Sequence, residues 1–146
     1  MKILVLIGPN LNMLGTRDPK IYGSLTLKDI QSLCEKTAQA HKATIDFRQS
    51  NHEGDLVTWI QEAITDFDGL IINAGAYTHT SIAIYDALEM VSCPIIEVHQ
   101  SDPKSREEFR HHSYISPHAQ KIITGQKEQG YVQAIEILTK SFKRPE

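Results

Sequence analysis

Short runs of uninterrupted apolar residues, alternating with stretches of helical period, set the strongest limit on how this chain can fold. Ile3-Leu4-Val5-Leu6-Ile7 and Leu70-Ile71-Ile72 carry no polar side chain on either face, and Ile95-Ile96 with Val98 is nearly as apolar. Such runs suit strands covered by helices on both sides, as in a parallel sheet. Ile45 and Phe47 alternate instead with Thr44, Asp46 and Arg48, the pattern of an edge strand. Ile122-Ile123, closed by Gly125, is a fifth and shorter candidate.

Four apolar stripes with helical spacing lie between and after these runs. They are Leu27, Ile30, Leu33, Cys34 and Ala38; Leu56, Ile60, Ala63, Ile64 and Phe67; Ile84, Ala87, Leu88 and Val91; and Tyr131, Ala134, Ile135, Leu138 and Phe142. Thr26 opens the first, with Asp29 three residues on, a capping-box variant. The order is βαβαβαβ, an irregular stretch, then βα. Each parallel crossover needs a covering helix, so the alternation predicts an α/β fold with helices on both faces of an open sheet. A flavodoxin-like, doubly wound, five-stranded parallel sheet of order 2-1-3-4-5 fits best, because it puts the polar-alternating second strand at an edge.

At 146 residues the chain suits one domain, 1–146, without room for a separate cofactor domain. A formal charge of −3 argues against a nucleic-acid binder, which would present a basic face. The leading apolar run is too short for a signal-peptide core or a membrane span, which predicts a cytoplasmic protein. Cys34 within a helical stripe and Cys93 before Pro94 read as reduced core thiols. The histidines lack metal-site spacing, and the chain has neither a P-loop nor a dinucleotide fingerprint, so no metal or cofactor is expected.

In doubly wound sheets ligands bind outside the carboxyl ends of the strands, near the reversal of strand order. The first strand runs into Gly8-Pro9-Asn10, the third into Asn73-Ala74-Gly75, and the fourth into Glu97-Val98-His99-Gln100-Ser101. Asn10 or Asn73 alone would more often be a turn residue satisfying local backbone groups. Glu97 and His99 share one face of an extended strand. They form either a static ion pair or a carboxylate that orients an imidazole and favours its protonated form. His111, His112 and His118 read as surface residues, whereas His79 follows the third strand and is open to either reading. The segment from Pro9 to Ser24 is long for a βα connection and carries Arg17 and Tyr22 between Gly15 and Gly23, which suits either an active-site lid or a loop that Tyr22 packs down with Arg17 in solvent.

Fold alone does not choose between an enzyme and a binding module. A receiver-type module would want acidic residues where this chain has Asn10 and Asn73. A flavin binder would want a Gly- and hydroxyl-rich loop in place of Pro9-Asn10-Leu11-Asn12. Longer motifs carry a resemblance. Gly8-Pro-Asn-Leu-Asn-Met-Leu-Gly15, Arg17 with Tyr22-Gly23, Asn73-Ala-Gly-Ala-Tyr-Thr-His-Thr-Ser81, Ile96-Glu-Val-His99 and Arg106-Glu-Glu-Phe-Arg-His-His-Ser-Tyr-Ile-Ser116 occur in this order. Together they resemble the type II 3-dehydroquinate dehydratases over essentially the whole chain. One position departs: the family usually has Asn before the Gly-Pro-Asn, and Ile7 stands there.

The resemblance implies a cofactor-free lyase that converts 3-dehydroquinate reversibly into 3-dehydroshikimate by trans elimination of water through an enolate. It makes Tyr22 the base that takes a proton from the carbon beside the ketone. A phenol is mostly protonated near neutral pH, so a cation must stand beside it, and Arg17 on the same loop can supply one. Asn10 would stabilise the enolate through a bound water, and His99, held by Glu97, would protonate the leaving hydroxyl. Asn73, His79, Gln100, Ser101 and Arg110 would hold the small-molecule substrate. Asp86 resembles a residue that reaches a neighbouring subunit's site. The family forms homododecamers built from trimers, so a homo-oligomer is expected.

Overall fold

The computed structural model describes residues 1–142. Five parallel strands, β1 (Lys2–Ile7), β2 (Thr44–Gln49), β3 (Gly69–Asn73), β4 (Ile95–His99) and β5 (Lys121–Thr124), form one sheet of order β2-β1-β3-β4-β5, as the apolar runs predict. Val5 lies opposite Phe47 on one side and Ile71 on the other, so the central strand is paired along both edges. Successive side chains of a strand point to opposite faces, and the apolar runs accordingly feed two cores. Ile3, Val5, Ile7, Ile71, Ile96 and Val98 pack beneath α2 (Leu27–Ala40) and α5 (Gln129–Ser141). Leu4, Leu6, Leu70, Ile72 and Ile95 pack beneath α3 (Glu53–Glu62) and α4 (Ile82–Glu89). A strand buried on one face and solvated on the other would have needed alternation; strands covered on both faces need none.

The polar side chains of β2 are accommodated at the edge. Arg48 donates to Asp46 and to Glu62 of α3, which ties the edge strand to its helix. The Thr26–Asp29 box caps α2 with both reciprocal hydrogen bonds in place. Cys34 and Cys93 are free thiols, and burial pushes them up to about 12 and about 11. None of the described helices is long and apolar enough to cross a membrane.

Two details differ from the sequence reading. The second stripe predicts helix through Ile64 and Phe67, but α3 closes at Ala63 and leaves Ile64 38% exposed. The long connection after β1 is not plain loop. It holds a 3-10 turn at Leu11–Met13 and a short helix, α1 (Pro19–Tyr22), begun by Asp18 accepting from the Lys20 N–H and by Pro19 at its first position. Between β4 and β5 the chain makes three 3-10 turns, Pro103–Ser105, Glu108–Arg110 and Ser116–His118, which pin Ile115 into the core and Tyr114 N–H onto the Thr78 carbonyl.

Candidate active site

The ends of β1 and β3 meet unusually closely. The Gly8 N–H donates to the Asn73 carbonyl, and a Cβ on Gly8 would lie 2.3 Å from the Ala74 carbonyl oxygen, a distance only glycine permits. Gly75, at φ +58, packs against Pro9 in the same way from the other strand. Asn10 follows in a left-handed conformation, φ 68, which Asn tolerates better than most residues. Its backbone N–H donates to Asn51 Oδ1, and Gln49 Nε2 bridges the Gly8 carbonyl and Asn51. With Ile7 buried in the core and lacking a polar side chain, β2 and the loop after it supply the support for Asn10.

The connection after Asn10 folds α1 back over these strand ends. Arg17 Nη2 donates to the Tyr22 hydroxyl at 2.6 Å, and its guanidinium lies 3.7 Å from the Tyr22 ring centre. A guanidinium has no acceptor, so the phenol oxygen is the accepting partner. Arg106, which the sequence reading did not single out as a site residue, lies on the same ring at 5.3 Å.

On β4 the Glu97 side chain is 1% exposed and takes three donors: His99 Nε2 at 2.5 Å, Ser116 Oγ at 2.5 Å and Ser113 Oγ at 2.8 Å. Burial opposes ionisation of this carboxyl, but the three hydrogen bonds and the His99 charge outweigh it and hold Glu97 below the usual carboxylate range. An ionised carboxylate only accepts, so Nε2 carries the hydrogen and Nδ1 is left for other work. Ser113 and Ser116 were missed from sequence. The only available signal was that a buried carboxylate must find donors.

His79 stacks on His99 with ring centres 6.5 Å apart, and its Nδ1 faces the His112 carbonyl at 2.7 Å. Burial, together with the His99 and Arg110 charges, outweighs that hydrogen bond and lowers its pKa. Neutral His79 with Nδ1–H bound to a carbonyl presents Nε2 as an acceptor.

Asn10, Arg17, Tyr22, Asn73, His79, His99, Gln100, Ser101 and Arg110 line one cavity of about 120 Å³, joined by Arg106. Glu97 stands behind His99 and borders a wider, adjoining hollow of about 530 Å³, whose lining includes neither Arg17 nor Tyr22. The smaller cavity is well below the ~300–1,000 Å³ of drug-sized ligands and suits a compact metabolite. Three arginines and no acidic residue line it, so its field favours an anion. Asp86 is exposed on α4 and is not among the lining residues. The Gln100 side chain is turned inward, its amide bonded to the Tyr22 carbonyl and to the Tyr131 hydroxyl.

A flavodoxin-like sheet with a phenol–guanidinium pair and a carboxylate-held imidazole around one small cationic cavity defines an acid–base enzyme acting on a small anion. Comparison with known proteins narrows this. The sequence pattern of the family "Dehydroquinase class II" matches residues 1–139. A 3-dehydroquinate dehydratase of Streptomyces avermitilis is 56% identical over 135 residues, covering 92% of this chain and 85% of that protein. The type II dehydroquinase of Butyrivibrio crossotus superposes with a TM-score of 0.92 at 46% identity, covering 94% of this chain and 97% of that one. That of Propionibacterium acnes gives 0.91 at 40% identity, covering 94% and 95%. This chain belongs to the class II dehydroquinase family.

Proposed function

We propose that the chain is a 3-dehydroquinate dehydratase of the shikimate pathway in which Tyr22 and His99 move the two protons. The observation that carries this reading is that the Arg17–Tyr22 pair and the Glu97–His99 pair line or back the same cavity. Tyr22, as phenolate held by Arg17, takes the proton from the carbon beside the ketone. The electron pair moves onto the carbonyl oxygen, and Asn10 stabilises the enolate through a water. Its collapse expels the β-hydroxyl, which takes a proton from the His99 imidazolium and leaves as water. Glu97 offsets the imidazolium charge until that proton is given up. The products are 3-dehydroshikimate and water, and the reverse sequence hydrates the enone.

The substrate carboxylate is held at backbone N–H groups, and a hydroxyl at Ser101 and the backbone of Gln100. Arg110, Asn73 and the acceptor nitrogen of His79 engage ring oxygens. Placement of this kind, with reacting atoms held near contact, supplies a large share of rate enhancement. The polar cavity supports a small-molecule substrate; nucleic acid and membrane have no part in the reading. A small anionic pathway metabolite fits a cytoplasmic enzyme, with residues 1–146 as one catalytic domain. A homo-oligomer, as a dodecamer of trimers, would bring Asp86 to a neighbour's cavity.

Purified protein with 3-dehydroquinate is expected to show the rising ultraviolet absorbance of the conjugated enone. Tyr22→Phe should remove nearly all turnover while substrate binding, followed by calorimetry, stays within a few-fold of the parent. Retention of more than a few per cent of turnover rejects Tyr22 as the base.

A further inference from the structure

Gln100 lies one residue beyond β4 and is 3% exposed. Its amide is committed at both ends. Nε2 donates to the Tyr22 backbone carbonyl at 2.9 Å, and Oε1 accepts from the Tyr131 hydroxyl at 3.0 Å. The Tyr131 oxygen accepts in turn from Asn73 Nδ2 at 2.9 Å, and Asn73 Oδ1 accepts from the Gly75 N–H at 3.2 Å. Every donor in this relay points the same way, from the loop after β3 through the core to the lid, so each bond polarises the next.

The relay also removes ambiguity about the amide. Tyr131 is fully buried on α5, and its hydroxyl receives one hydrogen bond and must give its own proton to Gln100. Burial drives its pKa well up despite the Asn73 hydrogen bond, so it remains a donor. Oε1 of Gln100 therefore faces Tyr131, and the NH2 group faces the lid. What it meets there is the last carbonyl of α1, which a four-residue helix leaves without an internal partner.

We propose that Gln100 is a positioning residue that latches the lid: it caps the α1 carbonyl of Tyr22, and Tyr131 holds the amide in register, so the Tyr22 phenol is delivered to the cavity from a fixed backbone. This rests on the reading of Tyr22 as the base. Opening the lid leaves a buried amide donor unpaired, so the latch favours the closed arrangement. An aliphatic side chain here would fill the space without fixing where α1 ends.

The test compares the parent with Gln100→Met, Gln100→Glu and Tyr131→Phe. Met keeps the bulk; Glu keeps the shape and sets a carboxylate against the Tyr22 carbonyl; Phe removes only the orienting hydroxyl. Each Gln100 variant is expected to lower kcat about tenfold, the loss of one buried hydrogen bond, with KM changed less than about threefold. Trypsin cleavage after Arg17 or Lys20 without substrate should accelerate by a similar factor, and Tyr131→Phe should shift both readouts in the same direction by less. Unchanged trypsin rates in both Gln100 variants overturn the latch, as does a raised KM at parental kcat, which would make Gln100 a substrate-binding group. Where one Gln100 variant fails to fold, unchanged trypsin rates in the other and in Tyr131→Phe overturn the latch. Tyr22→Phe separates the two layers. If it keeps its activity, the base assignment fails, while the trypsin rates still decide the latch.

Discussion

Glu97 shows how one residue sets the state of another. A lone buried carboxylate would be strongly disfavoured in its ionised form; here two serine hydroxyls and an imidazole make the charged form the favoured one. Glu97→Gln retains the shape but can turn an NH2 toward His99 Nε2–H and cannot offset an imidazolium. Its kcat is expected to fall about a hundredfold, within the range of general acid catalysis, measured by the enone assay. Stability carries a second signature. The folded-state pKa of Glu97 lies below its unfolded value, so its contribution is complete above roughly pH 4.3 and is lost as pH falls through the folded value. Urea midpoints measured downward from pH 6 should fall less steeply in Glu97→Gln than in the parent. Equal slopes would show that the pair adds nothing to acid stability. Glu97 and His99 were legible from their spacing on a strand. Ser113 and Ser116 were not, because they lie 16 and 19 residues from Glu97 in a stretch without periodicity.

At the scale of elements, the strand ends matter more than the strands. β1 and β3 can place Asn10 and Asn73 on one cavity only because Gly8 lets the two chains touch. Gly8→Ala drives a Cβ into the Ala74 backbone, which cannot move as a flexible side chain does. We expect a loss of about 1–3 kcal/mol in urea unfolding, and lower turnover from the displaced Asn10. A change below about 0.5 kcal/mol, that of an ordinary surface substitution, would show that the contact relaxes without cost. The lid is the other element with a structural surprise. Its length and its Arg-Tyr content were visible in sequence, yet its helical turn rests on Asp18 and Pro19, whose capping chemistry is readable only once a helix is known to begin there. Gly23, at φ +85, ends that turn, so the Tyr22 carbonyl faces Gln100 instead of continuing a helix.

Across the whole molecule, the sheet order brings three strand ends to one crevice, and the two helical layers hold that arrangement from opposite faces. Ile71 is wholly buried on β3, between Val5 and Ile96 and beneath the helical layer of α2 and α5. Ile71→Ala should cost about 2–5 kcal/mol in denaturant unfolding, with activity per folded molecule little changed because Ile71 lies outside the cavity lining. Asp86 poses the question of assembly. If a neighbour's Asp86 completes the cavity, Asp86→Ala should reduce turnover without altering the stability of the fold. Specific activity should also fall on dilution below the assembly concentration read by sedimentation. Full activity in Asp86→Ala, at a concentration-independent rate, would make the single chain sufficient.

The sequence by itself determined the strand count and order, the edge position of β2, and the gathering of Asn10, Asn73 and the Glu97–His99 pair at one end of the sheet. These follow from periodicity and connection rules, which act over a few residues at a time. Tertiary structure alone decided which groups satisfy which. Gln100 meets Tyr22 across 78 positions and Tyr131 across 31, and Tyr131 meets Asn73 across 58. A buried polar atom needs a partner, but only packing brings distant residues within the roughly 3 Å where a hydrogen bond forms.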